Sequence, residues 1–201
     1  MYEHHMITKT SLLVAGALFA CGKGRDQAAA KGKAPVAAID VGGVNALVPA
    51  ELKAKLVFDA TDVVEGLGHH LRTYTLAAPK SWTSKMKGFA SLKSSDDLGL
   101  FTSLDLGTNC DGLCEPKDWA ATSAKALFAQ FAKDRVIKDE QRPNSHLLIS
   151  ERDQTTFVVY AWWRDGAKRY YSCTASLEGV VKGAAPAFEK ACQAVTVAGD
   201  D

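Results

Sequence analysis

The residues best able to do chemistry are five cysteines, at positions 21, 110, 114, 173 and 192. A thiolate can attack an electrophile, bind a soft metal or close a disulfide, and its surroundings decide which. Cys110-Asp-Gly-Leu-Cys114 is the tightest pair. Three intervening residues let two α-carbons come within the roughly 4.4–6.8 Å that a bridge needs, if the chain turns. Gly112 allows that turn, because glycine accepts positive φ at no steric cost. The spacing departs from the C-x-x-C of redox and zinc motifs. The pair stands just before Pro116, a favoured first helical position, and a helix N-terminus stabilises a thiolate. A structural bridge and a metal or redox use are therefore the two readings of Cys110 and Cys114.

Other polar residues nominate little. His69 and His70 are adjacent, so on a strand they point to opposite faces, and they read as a turn pair rather than ligands of one metal. Trp162 and Trp163 face opposite sides for the same reason. One is expected in the core, and the other beneath a covering helix. Asp96 and Asp97 read as a polar turn. There is no glycine-rich phosphate loop, no G-x-S-x-G and no H-E-x-x-H. The expectation is no catalytic residue, no metal set and no cofactor. The formal net charge is +1, so no basic field favours nucleic acid.

The N-terminus gives an address. Residues 11–20 (SLLVAGALFA) form an uncharged, mainly apolar run behind Lys9. A bilayer span needs roughly 20 apolar residues. This run has instead the length of a signal-peptide core. Translation from Met1 or from Met6 both fit, and His4 and His5 fall in the leader. Leu18-Phe19-Ala20-Cys21 resembles the lipobox of bacterial lipoproteins: an aliphatic residue, a small residue before the cysteine, then the cysteine. The resemblance implies a diacylglycerol thioether on Cys21 and cleavage before it. Gly22 stands where an aspartate would favour inner-membrane retention, so the resemblance leans toward the outer membrane, facing the periplasm. One acyl chain holds a protein only marginally, and two or more hold it stably.

Residues 1–20 thus read as a signal peptide and 21–47 as the acylated cysteine with a flexible tether. The stretch from Gly22 is rich in Ala, Gly and Lys and lacks an aromatic residue. Such a tether would reach roughly 30 Å. Residues 48–201 read as one domain. Hydrophobic residues make up 47% and charged residues 23% of the chain, which places this part among folded globular domains.

Within the domain, residues 55–60 and 70–76 read as a hairpin about Gly66 and Gly68, with Pro79 closing it. Residues 89–93 and 98–106 read as two further strands. An apolar face through Ala120, Ala124, Leu127, Phe128 and Phe131 predicts a helix starting near Pro116. Residues 135–138 and 146–152 read as strands. Residues 157–164 (FVVYAWWR) and 168–176 (KRYYSCTAS) flank Asp165-Gly166, a strong hairpin signal. A two-residue turn there would set Tyr160 opposite Tyr171 and Val158 opposite Cys173. Because both strand faces carry aromatic residues, this hairpin is expected mid-sheet. A last helix over 186–195 starts close to Pro186, which is costly deeper inside. The order of four strands, helix, four strands, helix predicts an α+β fold: a mainly antiparallel sheet with helices packed on it.

With Cys21 acylated, four cysteines remain, and three connectivities are open to them. Cys173 shares a strand face with Tyr171 and Ala175. Cys192 lies one helical turn after Phe188. Both should point into the sheet–helix interface, which pairs them and leaves Cys110 with Cys114. A C-x3-C at a strand–helix junction is similar to the copper site of Sco-like proteins. Those proteins need a thioredoxin fold and a distal histidine. Here antiparallel strands precede the pair, and His146 is the only histidine downstream, two elements later and expected far from both sulfurs.

Residues 74–82 (YTLAAPKSW) resemble the opening of PsbP-like domains, an apolar strand running into a proline and then a tryptophan. The C-terminal hairpin and the helix with Phe188 are similar too. The resemblance spans about 52–197. It implies an α/β sandwich used in binding and assembly, and carries over no catalytic residue. The leading expectation is a membrane-anchored envelope lipoprotein with a non-enzymatic binding or assembly domain. Its partners would be the membrane, through the lipid, and an envelope protein, with no nucleic acid. The alternative is a thiol redox or copper-handling envelope protein using Cys110 and Cys114. An envelope hydrolase with a site of scattered residues is a third.

Overall fold

A computed structural model describes residues 38–67, 70–94, 98–99, 101–109, 122–164 and 169–199. All lie in the compact unit Val36–Asp201. The first described helix, α1 (Val41–Ala46), begins where the Asp40 side chain accepts from the Gly43 N–H at 2.8 Å, as an N-cap does. Val44 is 1% exposed, and Ile39 and Val41 pack on the same core. The domain therefore starts before residue 48, and the last residues assigned to the tether belong to the fold. Only three apolar residues form this face, and Gly42 and Gly43 interrupt them, so no period is visible. Asn45 then fixes the start of the sheet. Its amide nitrogen donates to the Phe58 carbonyl at 3.0 Å, and its oxygen accepts from the Phe58 N–H at 2.8 Å.

The first hairpin joins β1 (Phe58–Leu67) to β2 (His70–Pro79), with Phe58 opposite Pro79 and Leu67 opposite His70. The first strand starts three residues later than expected. Lys55 and Leu56 instead donate to the Leu52 carbonyl in a helical turn. Gly66 lies inside β1, at φ 106°, not in the turn. Three strands follow, β3 (Thr83–Ser84), β4 (Ser91–Lys93) and β5 (Ser103–Asn109). Then come α2 (Thr122–Ala129), β6 (Arg135–Arg142), β7 (Ser145–Arg152), β8 (Thr155–Arg164) and β9 (Arg169–Glu178). A 3₁₀ turn leads into α3 (Ala185–Gln193), with Pro186 in its first turn, and β10 (Thr196–Ala198) ends the fold. The strand at 196–198 and the extra short one at 83–84 carry too few residues to show alternation.

Every strand pairing among the described residues is antiparallel. Strands run β3-β4-β5-β9-β8-β7-β6 in one sheet and β1-β2-β10 in the other. The expected α+β class, a mainly antiparallel sheet with helices packed on it, is the observed one. The β8–β9 hairpin lies mid-sheet, as its aromatic residues on both faces require.

Its register differs from the expected one. Arg164 faces Arg169, and Tyr160 faces Cys173 rather than Tyr171. This register sets Trp162 opposite Tyr171, their rings stacked at 5.7 Å, and Trp163 opposite Tyr170. A two-residue Asp165-Gly166 turn would break both aromatic pairs, which outweigh the turn preference. The shift is two residues, so every side chain keeps its face.

One face of the large sheet carries Leu104, Leu147, Val158, Tyr171, Cys173 and Leu177 against Phe188 and Ala191 of α3 and Phe58, Tyr74 and Leu76 of the small sheet. The Phe188 ring meets Phe58 edge-on at 5.1 Å and stacks on Trp82 at 5.3 Å. The opposite face is covered around α2. Leu127 and Phe128 pack on Ala161, Tyr170 and Trp163, and Phe131 on Leu148 and Val159. The two tryptophans thus enter different layers, as their alternation predicts. The outer strand β6 is exposed, carries Arg135, Lys138, Glu140 and Arg142, and has a register shift between Val136 and Lys138. Charge and irregularity of this kind discourage edge-to-edge pairing.

Candidate functional site

Cys173 and Cys192 form a disulfide with α-carbons 5.5 Å apart. Both residues are fully buried, and the bridge ties β9 to α3. This is the pairing expected from the strand and helix faces. Cys21, Cys110 and Cys114 lie outside the described residues, as do His69, Asp96 and Asp97. His70 is the first residue of β2. His146 lies in β7, where its Nε2 is 2.7 Å from Asp139 Oδ1 and its ring stacks on Phe128 at 3.8 Å. Among the described residues, no group of three His, Cys, Asp or Glu side chains could hold a metal ion.

Two polar clusters lock the strands. On the core side of the first hairpin, Glu65 Oε2 accepts from Arg72 Nη1 at 2.6 Å and from the Tyr74 hydroxyl at 2.7 Å. Burial, and then the neighbouring Glu65 carboxylate, push the Tyr74 hydroxyl well above the usual phenol range, so it stays a donor. In β7 and the turn before β6, Asp134 is buried. It accepts from Arg152 Nε at 2.6 Å and Ser150 Oγ at 3.1 Å, while Arg152 Nη2 reaches the Gln130 carbonyl at 2.6 Å. Both clusters bind their own chain, and neither presents a reactive atom to a cleft.

The concave surface lies elsewhere. A groove of about 500 Å³ opens between the Gly66 end of β1–β2 and the β3–β4 connection. It is lined by Asp62, Val63, Val64, Gly66 and Leu71 on one side and Ser84, Lys87, Gly88 and Leu92 on the other. Alternation explains the first wall. Val63, Glu65, Arg72 and Tyr74 turn inward, so Val64 and Leu71 turn outward, each 46% exposed.

The second wall is a tight turn. Phe89 N–H donates to the Met86 carbonyl at 3.3 Å, with Gly88 at φ 85°. Positive φ at the third residue is what a type II turn demands of glycine. The Gly66 N–H donates to the Gly88 carbonyl at 2.9 Å, and the Lys85 N–H to the Ser91 carbonyl at 2.9 Å, so the turn is pinned to β1 and to β4. Met86 and Phe89 stand 60% and 59% exposed at its corners.

The sequence pattern does not mark this groove: residues 89–93 read as a strand there, whereas the strand begins at Ser91 and Phe89 lies in the turn. The available signal was Met86-Lys-Gly-Phe89, a glycine turn between two apolar residues. The mainly apolar lining, with Asp62, Ser84 and Lys87 as its polar side chains, fits a ligand or partner held by surface contact. No protein-family model matches the chain, and no curated protein is significantly similar to it.

Proposed function

We propose that the protein is an envelope lipoprotein, acylated on Cys21, whose domain binds or assembles rather than catalyses. The observation that carries this reading is the buried Cys173–Cys192 bridge. Disulfides form and persist in oxidising compartments and are rare in the cytosol. A bridge sealed in the core therefore supports export, which residues 1–20 and the lipobox-like Leu18-Phe19-Ala20-Cys21 independently imply. The antiparallel sheet with α3 against it, Trp82 stacked on Phe188 at 5.3 Å, supports kinship with PsbP-like sandwiches, and with it a binding role. The open groove supplies a surface for that role. The outer membrane, facing the periplasm, is the proposed site.

Metabolic labelling with an alkyne fatty acid in a bacterial host tests the anchor. The parent chain should take up label and sediment with membranes, while Cys21→Ser should be unlabelled and soluble. Label retained by Cys21→Ser would overturn the assignment.

A further inference from the structure

The turn at residues 86–89 carries two exposed apolar side chains, with Lys87 between them in sequence and Lys85 just before them. Residues 80–93 contain four lysines, Lys80, Lys85, Lys87 and Lys93, and no acidic residue. Met86 and Phe89 are 60% and 59% exposed. Val64 and Leu71 continue the apolar surface across the groove that Lys87 lines. Lys80 and Lys85 pair with Asp59 at 3.2 Å and Asp105 at 3.3 Å. These are exposed pairs, which hold their partners weakly and can exchange them for phosphate. The one carboxylate on the groove wall, Asp62, accepts from Thr75 Oγ1 at 2.7 Å.

We infer that this turn is a docking surface for an anionic lipid bilayer, with Met86 and Phe89 entering the interface and Lys85 and Lys87 meeting lipid phosphates. Charge complementarity chooses the occupant. An apolar turn that carries Lys85 and Lys87 matches a layer whose core is apolar and whose surface is negative. Lys87 sits at the tip, where its methylene stem can lie along acyl chains while the ammonium stays at the headgroups. The turn is held at both ends by backbone hydrogen bonds, so little order is lost on docking. This deepens the envelope reading and rests on it only in that the domain must meet a membrane. It needs no acyl group on Cys21.

The test uses the full chain carrying Cys21→Ser, so that acylation plays no part. Phe89→Trp adds one reporter, read as the difference from the same chain with Phe89. Vesicles of phosphatidylcholine alone, or with phosphatidylglycerol, carry brominated acyl chains that quench an inserted indole. The reporter at 89 should be quenched in the anionic vesicles and not in the neutral ones. Removing Lys85 or Lys87 as glutamine should weaken the partition roughly five-fold each, and added salt should weaken it further. Met86→Ser should lower quenching with an unchanged melting temperature. An unquenched reporter in both vesicles, or equal quenching in both, would overturn the inference. So would a reporter shielded without lipid as protein concentration rises, which would assign the surface to a second copy. Lipid labelling of Cys21 is measured separately, so the anchor and the turn can fail independently.

Discussion

The β1–β2 and β8–β9 hairpins have strands of the same length, ten residues each, and opposite surroundings. The β8–β9 hairpin is buried on both faces, one against α3 and the disulfide, the other against the residues around α2. The β1–β2 hairpin is buried on one face through Val63, Tyr74 and Leu76, whereas its other face is buried at Phe58 and Ala77 and open toward Gly66, where Val64 and Leu71 line the groove. The first arrangement concentrates stability, because each side chain displaces water and fills a packed layer. The second leaves apolar area in water. Exposed apolar patches of this kind mark interaction surfaces. The two hairpins divide the work of holding the fold and meeting a partner.

The largest effects should come from the layer shared by β8, β9 and α3. Phe188 is fully buried between Phe58 and Trp82. Phe188→Ala should cost about 3–5 kcal/mol, read from denaturant unfolding. A loss below about 1 kcal/mol would show that the layer is not close-packed there. Next comes the bridge. Replacing Cys173 and Cys192 together by alanine frees a loop with a sequence separation of 19, and should cost about 3 kcal/mol. An unchanged unfolding midpoint, with and without reductant, would mean that the bridge contributes nothing to the hairpin's rigidity.

The deep hairpin was legible in the sequence because its signals are dense. Alternation in FVVYAWWR and KRYYSCTAS gave the strands, the faces and the Cys173–Cys192 pairing. Its register was not, because the Asp165-Gly166 turn signal is local, whereas the pairing of Trp162 with Tyr171 is decided across the sheet. The groove was illegible for a different reason. A surface built from two distant segments, residues 62–71 and 84–92, has no period of its own. Whether Phe89 ends a strand or caps a turn depends on the Gly66 N–H reaching Gly88. Helix α1 was hidden by its shortness and its glycines, although Asp40 stands at its N-cap.

An intermediate effect comes from acid. The Lys190 ammonium, and then the Gly43 N–H, hold the Asp40 carboxyl below the usual carboxylate range. Lys182, and then Arg135, do the same for Glu151. A folded value below the unfolded one means stability that is complete above the unfolded value and lost as pH falls through the folded one. The melting temperature should stay flat from neutral pH to about 5 and fall below about 4. Asp40→Asn combined with Glu151→Gln should flatten part of that fall. A fall of unchanged steepness in the double variant would assign it to other carboxylates.

The smallest stability effect should come from the open face of β1–β2, and its smallness is the point of the comparison. Val64 and Leu71 are each 46% exposed, whereas Val63 and Tyr74, their neighbours facing the core, are buried. A strand sends successive side chains to opposite faces, so substitution along one strand should alternate in cost. Val64→Ser and Leu71→Ser should each change stability by no more than about 0.5 kcal/mol, as at an uncovered surface site. Val63→Ala should cost clearly more, because it removes buried methyl groups and leaves a gap. Unfolding of the three variants by urea under one set of conditions measures the alternation directly. Equal costs would mean that Val64 and Leu71 are covered within the folded chain. The groove would then be a seam of the core, and the contrast between the two hairpins would disappear.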